Sequence, residues 1–198
     1  MLTHFDSEVT PVPSYFENAL VNYCAPTLAG LKPASLMACE KAEYPNLGAL
    51  AAQYTAALRA QGLRFEVVCR CAHSSLLLVY REDMLRRRLA EPAAAALLQA
   101  AGYPAGGALA EMLARLKRRI AQNADFPHEI GVFLGYPLED VRGFQRHKGQ
   151  NFKLCGYWKV YSDVERAKRC FAQYDHCRAC FAGKLAQGMS ITQLLRAA

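Results

Sequence analysis

"LRFEVVCRCAHSSLLLVYR", residues 63–81, decides the fold class. Its two halves, "LRFEVVCRC" and "SLLLVYR", are rich in the residues that strands favour, and a short polar break parts them. That is the signature of an antiparallel hairpin. Any architecture for this chain must therefore contain a sheet.

Reading outward from the hairpin, the chain alternates between helical and extended patterns. Upstream, "NLGALAAQYTAALRAQ" (46–61) has apolar residues at helical spacing and stops at Gly62, a residue suited to end a helix. "ASLMAC" (34–39) is a short apolar run expected as a buried strand. "SYFENALVNY" (14–23) reads as a helix, with Glu17 at the position of a capping box. Between these two lies "CAPTLAGLKP" (24–33). Pro26 disfavours helical backbone at Ala25, and Gly30 and Pro33 punctuate further, so this stretch is expected to be a turn or a broken helix.

Downstream, "EDMLRRRLAE", "PAAAALLQAAGY" and "GALAEMLARLKRRIAQNA" read as three helices, the second opening on Pro92. "HEIGVFLGY" (128–136) reads as a strand, "PLEDVRGFQRH" (137–147) as a helix and "FKLCGYWKVY" (152–161) as another strand. "SDVERAKRCFAQYDHCRACFAGKLAQG" (162–188) carries a clean apolar stripe at helical spacing, with Ser162 expected as its N-cap. "SITQLLRAA" closes the chain as a short helix. The expectation is an α+β (or α/β) fold with about five strands in a mixed sheet and helices packed on it. A single domain over residues 1–198 is expected, with residues 1–13 an irregular N-terminal arm.

Composition narrows the functional classes. No apolar run approaches the ~20 residues of a membrane span. The first residues carry neither a basic nor an apolar signal region, which leads to the expectation of a cytoplasmic protein. Eight cysteines would then be reduced thiols, metal ligands or redox groups. The net charge is +7, and the stretch from Arg142 to Lys184, with ten Lys/Arg against three Asp/Glu, accounts for all of it. That stretch also holds eight aromatic residues. Cations beside aromatics suit an anionic cofactor, a nucleotide or nucleic acid.

The site candidates follow from residue types. In "FPHEIGVFLGYPLEDVRGF" (126–144), Gly131 and Gly135 would share one face of a strand and admit a ligand or a crossing backbone. His128 stands at the start of that strand. Lys32, Arg142, Lys153 and Lys159 are candidates to hold an anionic group, with Tyr157 and Trp158 to stack or pack against it. Cys177 and Cys180 form a C-x-x-C within a helix, and with Cys69 and Cys71 they could assemble four thiolates. Cys155 is a further metal candidate. A thiol enzyme would need Cys24 as nucleophile and His128 as base, with Glu129 or Tyr157 to orient the imidazole. No Gly-rich phosphate loop, zinc-protease motif or nucleophile elbow is present.

The stretches "YCAPTLAGLKPASL" (23–36), "LLLVYR" (76–81), "FPHEIGVFLGYPLEDVRGF" (126–144), "KLCGYWKVYSDVERAKRCFAQYDHCR" (153–178) and "GMSITQLL" (188–195) carry a resemblance. The chain resembles, over nearly its whole length, a bacterial family of unknown function found mainly in anaerobic Firmicutes. The resemblance implies a tilt toward iron or redox biology, from neighbouring ferrous-iron transport and flavodoxin genes. It also implies that relatives often carry His where this chain has Tyr23.

These observations lead to three expectations. The first is a cytosolic binding protein for an iron-linked or anionic cofactor (iron, haem or flavin), with an anionic cofactor or redox protein as partner. The second is a cysteine-dependent enzyme using Cys24 and His128 on a small substrate. The third is nucleic-acid binding through residues 142–184, which lacks any recognised nucleic-acid motif.

Overall fold

The computed structural model describes residues 14–70, 73–122 and 126–196. The expected N-terminal arm at residues 1–13 lies outside them, as does Cys71.

The hairpin forms as the sequence requires. β2 (Leu63–Arg70) and β3 (Ser74–Arg81) pair antiparallel, with a bulge between Val67 and Cys69. β1 (Ala34–Glu40) pairs antiparallel with the other edge of β3, from Ala34 opposite Tyr80 to Glu40 opposite Ser74. The sheet order is β1-β3-β2. The mixed five-stranded sheet expected from sequence is not formed. Residues 152–161, expected as one strand, fold back on themselves instead, and β4 (Leu154–Cys155) and β5 (Lys159–Val160) make a separate two-residue antiparallel ladder.

Both faces of the three-stranded sheet are covered. Met37, Cys39, Phe65, Leu77 and Val79 point into one core. Ala34, Val68, Leu78 and Tyr80 point into the other. This is why "LLLV" in the central strand is apolar at consecutive positions rather than at alternate ones. The first core is closed by α1 (Ser14–Leu28), α2 (Leu47–Leu58), α8 (Val164–Ala186) and α9 (Ile191–Arg196). The second is closed by α3 (Glu82–Ala90), α4 (Pro92–Ala100), α5 (Leu109–Gln122), α6 (Ile130–Phe133) and α7 (Leu138–His147).

α1 does not break at Pro26, contrary to the reading of "CAPTLAGLKP"; it runs to Leu28 with Pro26 inside. Tertiary burial overrides the local preference. Phe16, Leu20, Val21, Cys24, Ala25 and Leu28 form its buried face, and each large side chain among them contributes roughly 1.5–3 kcal/mol on burial. Arg81 reinforces the helix end, where its guanidinium donates to the carbonyls of Thr27 and Leu28. Glu17 is buried against the core. Its buried carboxylate accepts from the Tyr54 hydroxyl (2.8 Å) and from the Ile191 N–H (3.1 Å), tying α9 to α1. α8 follows its apolar stripe through Ala167, Tyr174 and Cys177. Its N-cap is Asp163, which accepts from the Arg166 N–H, rather than Ser162.

A further correction concerns residues 128–136. They form no strand but the single-turn helix α6 and its exit. Ile130, Val132, Phe133 and Leu134 are all buried, so the run has no polar face to reveal its period. A short apolar run of that kind reads equally as strand or buried helix.

Candidate functional site

The exit from α6 shapes the site. Gly135 has φ +77°, its N–H donates to the Val132 carbonyl (3.1 Å), and the Tyr136 N–H donates to the Gly131 carbonyl (2.9 Å). This pair of bonds is the Schellman closure, which calls for a left-handed residue that glycine fills without strain. Gly135 therefore serves the backbone. A Cβ there would stand 2.5 Å from Cδ of Pro33, so the glycine also admits the chain that leads into β1. Gly131 does not share a strand face with it. A Cβ on Gly131 would lie 2.8 Å from a Val141 methyl, because α6 and α7 cross closely there.

Pro137 precedes α7, and Asp140 in the first turn of α7 organises the next segments of the chain. Its carboxylate is buried and takes four donors at 2.8 Å: Trp158 Nε1, the Tyr161 and Ser162 N–H groups, and the Ser162 hydroxyl. These bonds lock the β4–β5 hairpin and the start of α8 onto α7. The Trp158 ring stacks on Tyr136 with centroids 5.2 Å apart, and its edge meets Phe171 at 4.6 Å. Gly156, in the hairpin loop, lies flat against Phe171, where any side chain would collide.

Between α6–α7 and this hairpin lies a cleft of about 270 Å³. His128, Gly131 and Phe144 line it from one side, and Cys155, Trp158 and Lys159 from the other. Most of this lining is apolar or aromatic. His128 is exposed at the rim, with its ring 4.8 Å from that of Phe144. Lys159 donates from Nζ to the Gly149 carbonyl (2.7 Å) and passes over the rings of Phe152 (5.0 Å) and Phe144 (5.7 Å).

A second cavity of about 370 Å³ shares Tyr136 and Gly156 with the cleft and opens beside edge strand β1. Lys32 and Tyr157 line it. The Tyr157 hydroxyl donates to Asp175 (2.9 Å), and burial with that bond pushes its pKa up to about 12. Burial pulls Lys32 down to about 8.

The structure thus brings His128, Gly131, Cys155, Trp158 and Lys159 together in one cleft, and Lys32 and Tyr157 in the next. Gly135, Arg142 and Lys153 line neither. Arg142 is exposed on α7, and Lys153 donates to the Ser162 carbonyl. Of the other cations in the basic segment, Lys168 and Arg178 pair with Glu165 and Asp175 on their own helix.

The thiol readings fare differently. Cys24 lies inside α1 rather than after it and is fully buried, and burial pushes its thiol up to about 12. A nucleophile needs the opposite. Glu129, expected as a partner for His128, is buried with Arg119 and Tyr103 instead. Cys177 is buried in the core under α1, whereas Cys180 is exposed and contacts His176 at 3.5 Å, so the C-x-x-C pair faces two ways. Among the described residues no three His, Cys, Asp or Glu side chains converge as a metal site.

A family model for proteins of unknown function, DUF3793, matches residues 20–195. The chain belongs to the DUF3793 family. No curated protein matches it, and no solved structure does. Function in this DUF3793 chain must therefore be argued from its own side chains. Three of these escaped the sequence reading. Tyr136, Asp140 and Phe144 were not among the site candidates that the sequence offered. Only the fold places a hairpin 18 residues later over the Asp140 carboxylate. Among the described residues no helix is long and apolar enough to cross a membrane.

Proposed function

We propose that the protein binds a small ligand that has a flat apolar ring system and an anionic group, and that the cleft between α6–α7 and the β4–β5 hairpin holds the ring. One observation carries this reading. An apolar, aromatic-walled cleft is built from residues 126–144 and 155–159, with Lys159 and His128 at hand for charge and hydrogen bonding. Such a lining with few polar groups is what small-molecule sites share. At about 270 Å³ the cleft is slightly below the usual ~300–1,000 Å³ of ligand pockets. That suits the fused rings of a flavin or a similar heteroaromatic better than a whole haem.

Trp158 is the chain's single tryptophan and lines the cleft, so its fluorescence reports occupancy. Titration with FMN, haem and the anionic dye anilinonaphthalene sulfonate tests the reading. Saturable quenching of Trp158 by FMN or the dye, weakened by His128→Ala, is expected. If neither FMN nor the dye changes the Trp158 emission, the reading fails.

A further inference from the structure

We propose that the second cavity, beside β1, is an anion site in which the Lys32 ammonium receives the carboxylate or phosphate of a small oxyacid. Lys32 is only 6% exposed, so its charge has lost most of its water. A buried cation is ordinarily paired with an acid. Among the described residues Lys32 has no such pair. Its neighbours are aromatic faces, with Nζ 5.1 Å from the Tyr136 centroid and 5.9 Å from that of Tyr174. These attract the cation without neutralising it.

The rest of the cavity fits an oxyanion. Asn22 and Ser35 supply neutral polar groups, and Arg178, paired with Asp175 on its own helix, also lines the cavity. Tyr23, which is 61% exposed, stands among the lining residues and leaves the cavity in reach of solvent. A volume of about 370 Å³ exceeds what a bare phosphate needs, so the ligand has room for further atoms.

Charge linkage supports the assignment. Burial holds Lys32 down at about 8, and an anion beside it would restore the ammonium. Thiols and phenols face Lys32 from the elements around it. Cys24 of α1, Tyr136 of the α6–α7 turn and Tyr157 of the hairpin are all pushed up to about 12 by burial, and Tyr174 of α8 is raised further still. Cys170 and Arg178 of α8 complete the surroundings. Trp158 and Lys159 do not line this cavity, which shares Tyr136 and Gly156 with the ring cleft.

Isothermal titration of the full chain with sodium phosphate and, separately, with sodium acetate tests the proposal. We expect saturable binding of at least one of them at about pH 7, weakened at least roughly tenfold by Lys32→Met. Acetate stays ionised as pH rises, so its affinity should fall by roughly tenfold per pH unit above about 8. Preference for phosphate marks a phosphorylated ligand, and preference for acetate marks a carboxylic acid. Binding of neither ion, or binding that Lys32→Met leaves unchanged, overturns the proposal. If Lys32→Met does not fold, the wild-type chain decides, because an affinity flat from about pH 7 to about pH 9.5 also overturns it.

Discussion

Lys32→Met should make the protein more stable at neutral pH, by about 1–2 kcal/mol. Burial lowers the Lys32 pKa from 10.5 to about 8, and each unit is worth about 1.4 kcal/mol, so holding the ammonium in place costs about 3 kcal/mol. The Tyr136 and Tyr174 faces return part of this, at roughly 0.5–1 kcal/mol each, because Nζ stands near the far limit of such contacts. Methionine fills the same space without the charge. The pH dependence has a definite sign. Below about 8 the lysine is protonated in both the folded and the unfolded chain, and the full penalty is present. Between about 8 and 10.5 the unfolded chain holds a proton that the folded chain has released, so stability rises with pH. Above that window the penalty is gone. Urea unfolding of the two proteins at about pH 7 and about pH 10 measures this. With a slope of about 2 kcal/mol/M, the variant's midpoint should lie about 0.5–1 M higher at neutral pH, and the gap should shrink in alkali. A variant that is less stable by more than about 1 kcal/mol at pH 7, with a gap that does not change with pH, would overturn this account, because Lys32 would then have a partner that holds it in place.

Asp140→Ala should cost about 2–4 kcal/mol in urea unfolding, since four donors lose their acceptor; it should also shift the Trp158 emission as the hairpin loosens. Gly135→Ala should destabilise by about 1–3 kcal/mol, because φ +77° and the Pro33 ring both oppose a Cβ. His128→Ala should leave the unfolding free energy in urea within about 0.5 kcal/mol of wild type, as expected for an exposed rim residue, while weakening FMN binding. In alkylation of the native protein followed by mass spectrometry, Cys155 and Cys180 should react well before Cys24, because the first two are exposed and the last is buried with its thiol pushed up to about 12.

Elements whose patterns are local could be read from the residues alone. The β2–β3 hairpin, the end at Gly62 of the helical run that begins with α2 and closes in a 3-10 turn, the opening of α4 on Pro92 and the stripe of α8 all come from residue type and spacing. The mixture of helices and strands was equally legible. The features that stayed hidden depend on contacts between distant segments. Pro26 stays helical because α1 has a buried face and Arg81 binds its last carbonyls. "IGVFL" is a helical turn because it is buried on all sides and closed by Gly135 in a left-handed conformation. Cys24 and His128 belong to different environments, the core under α1 and the rim of a cleft. Lys32 looks like any lysine before a proline. Only the packing of α1, β1, α8 and the hairpin removes its water, surrounds it with tyrosine rings and leaves it without an acid among the described residues. Burial is a property of the assembled fold, and here it decides which residues have any chemistry to offer.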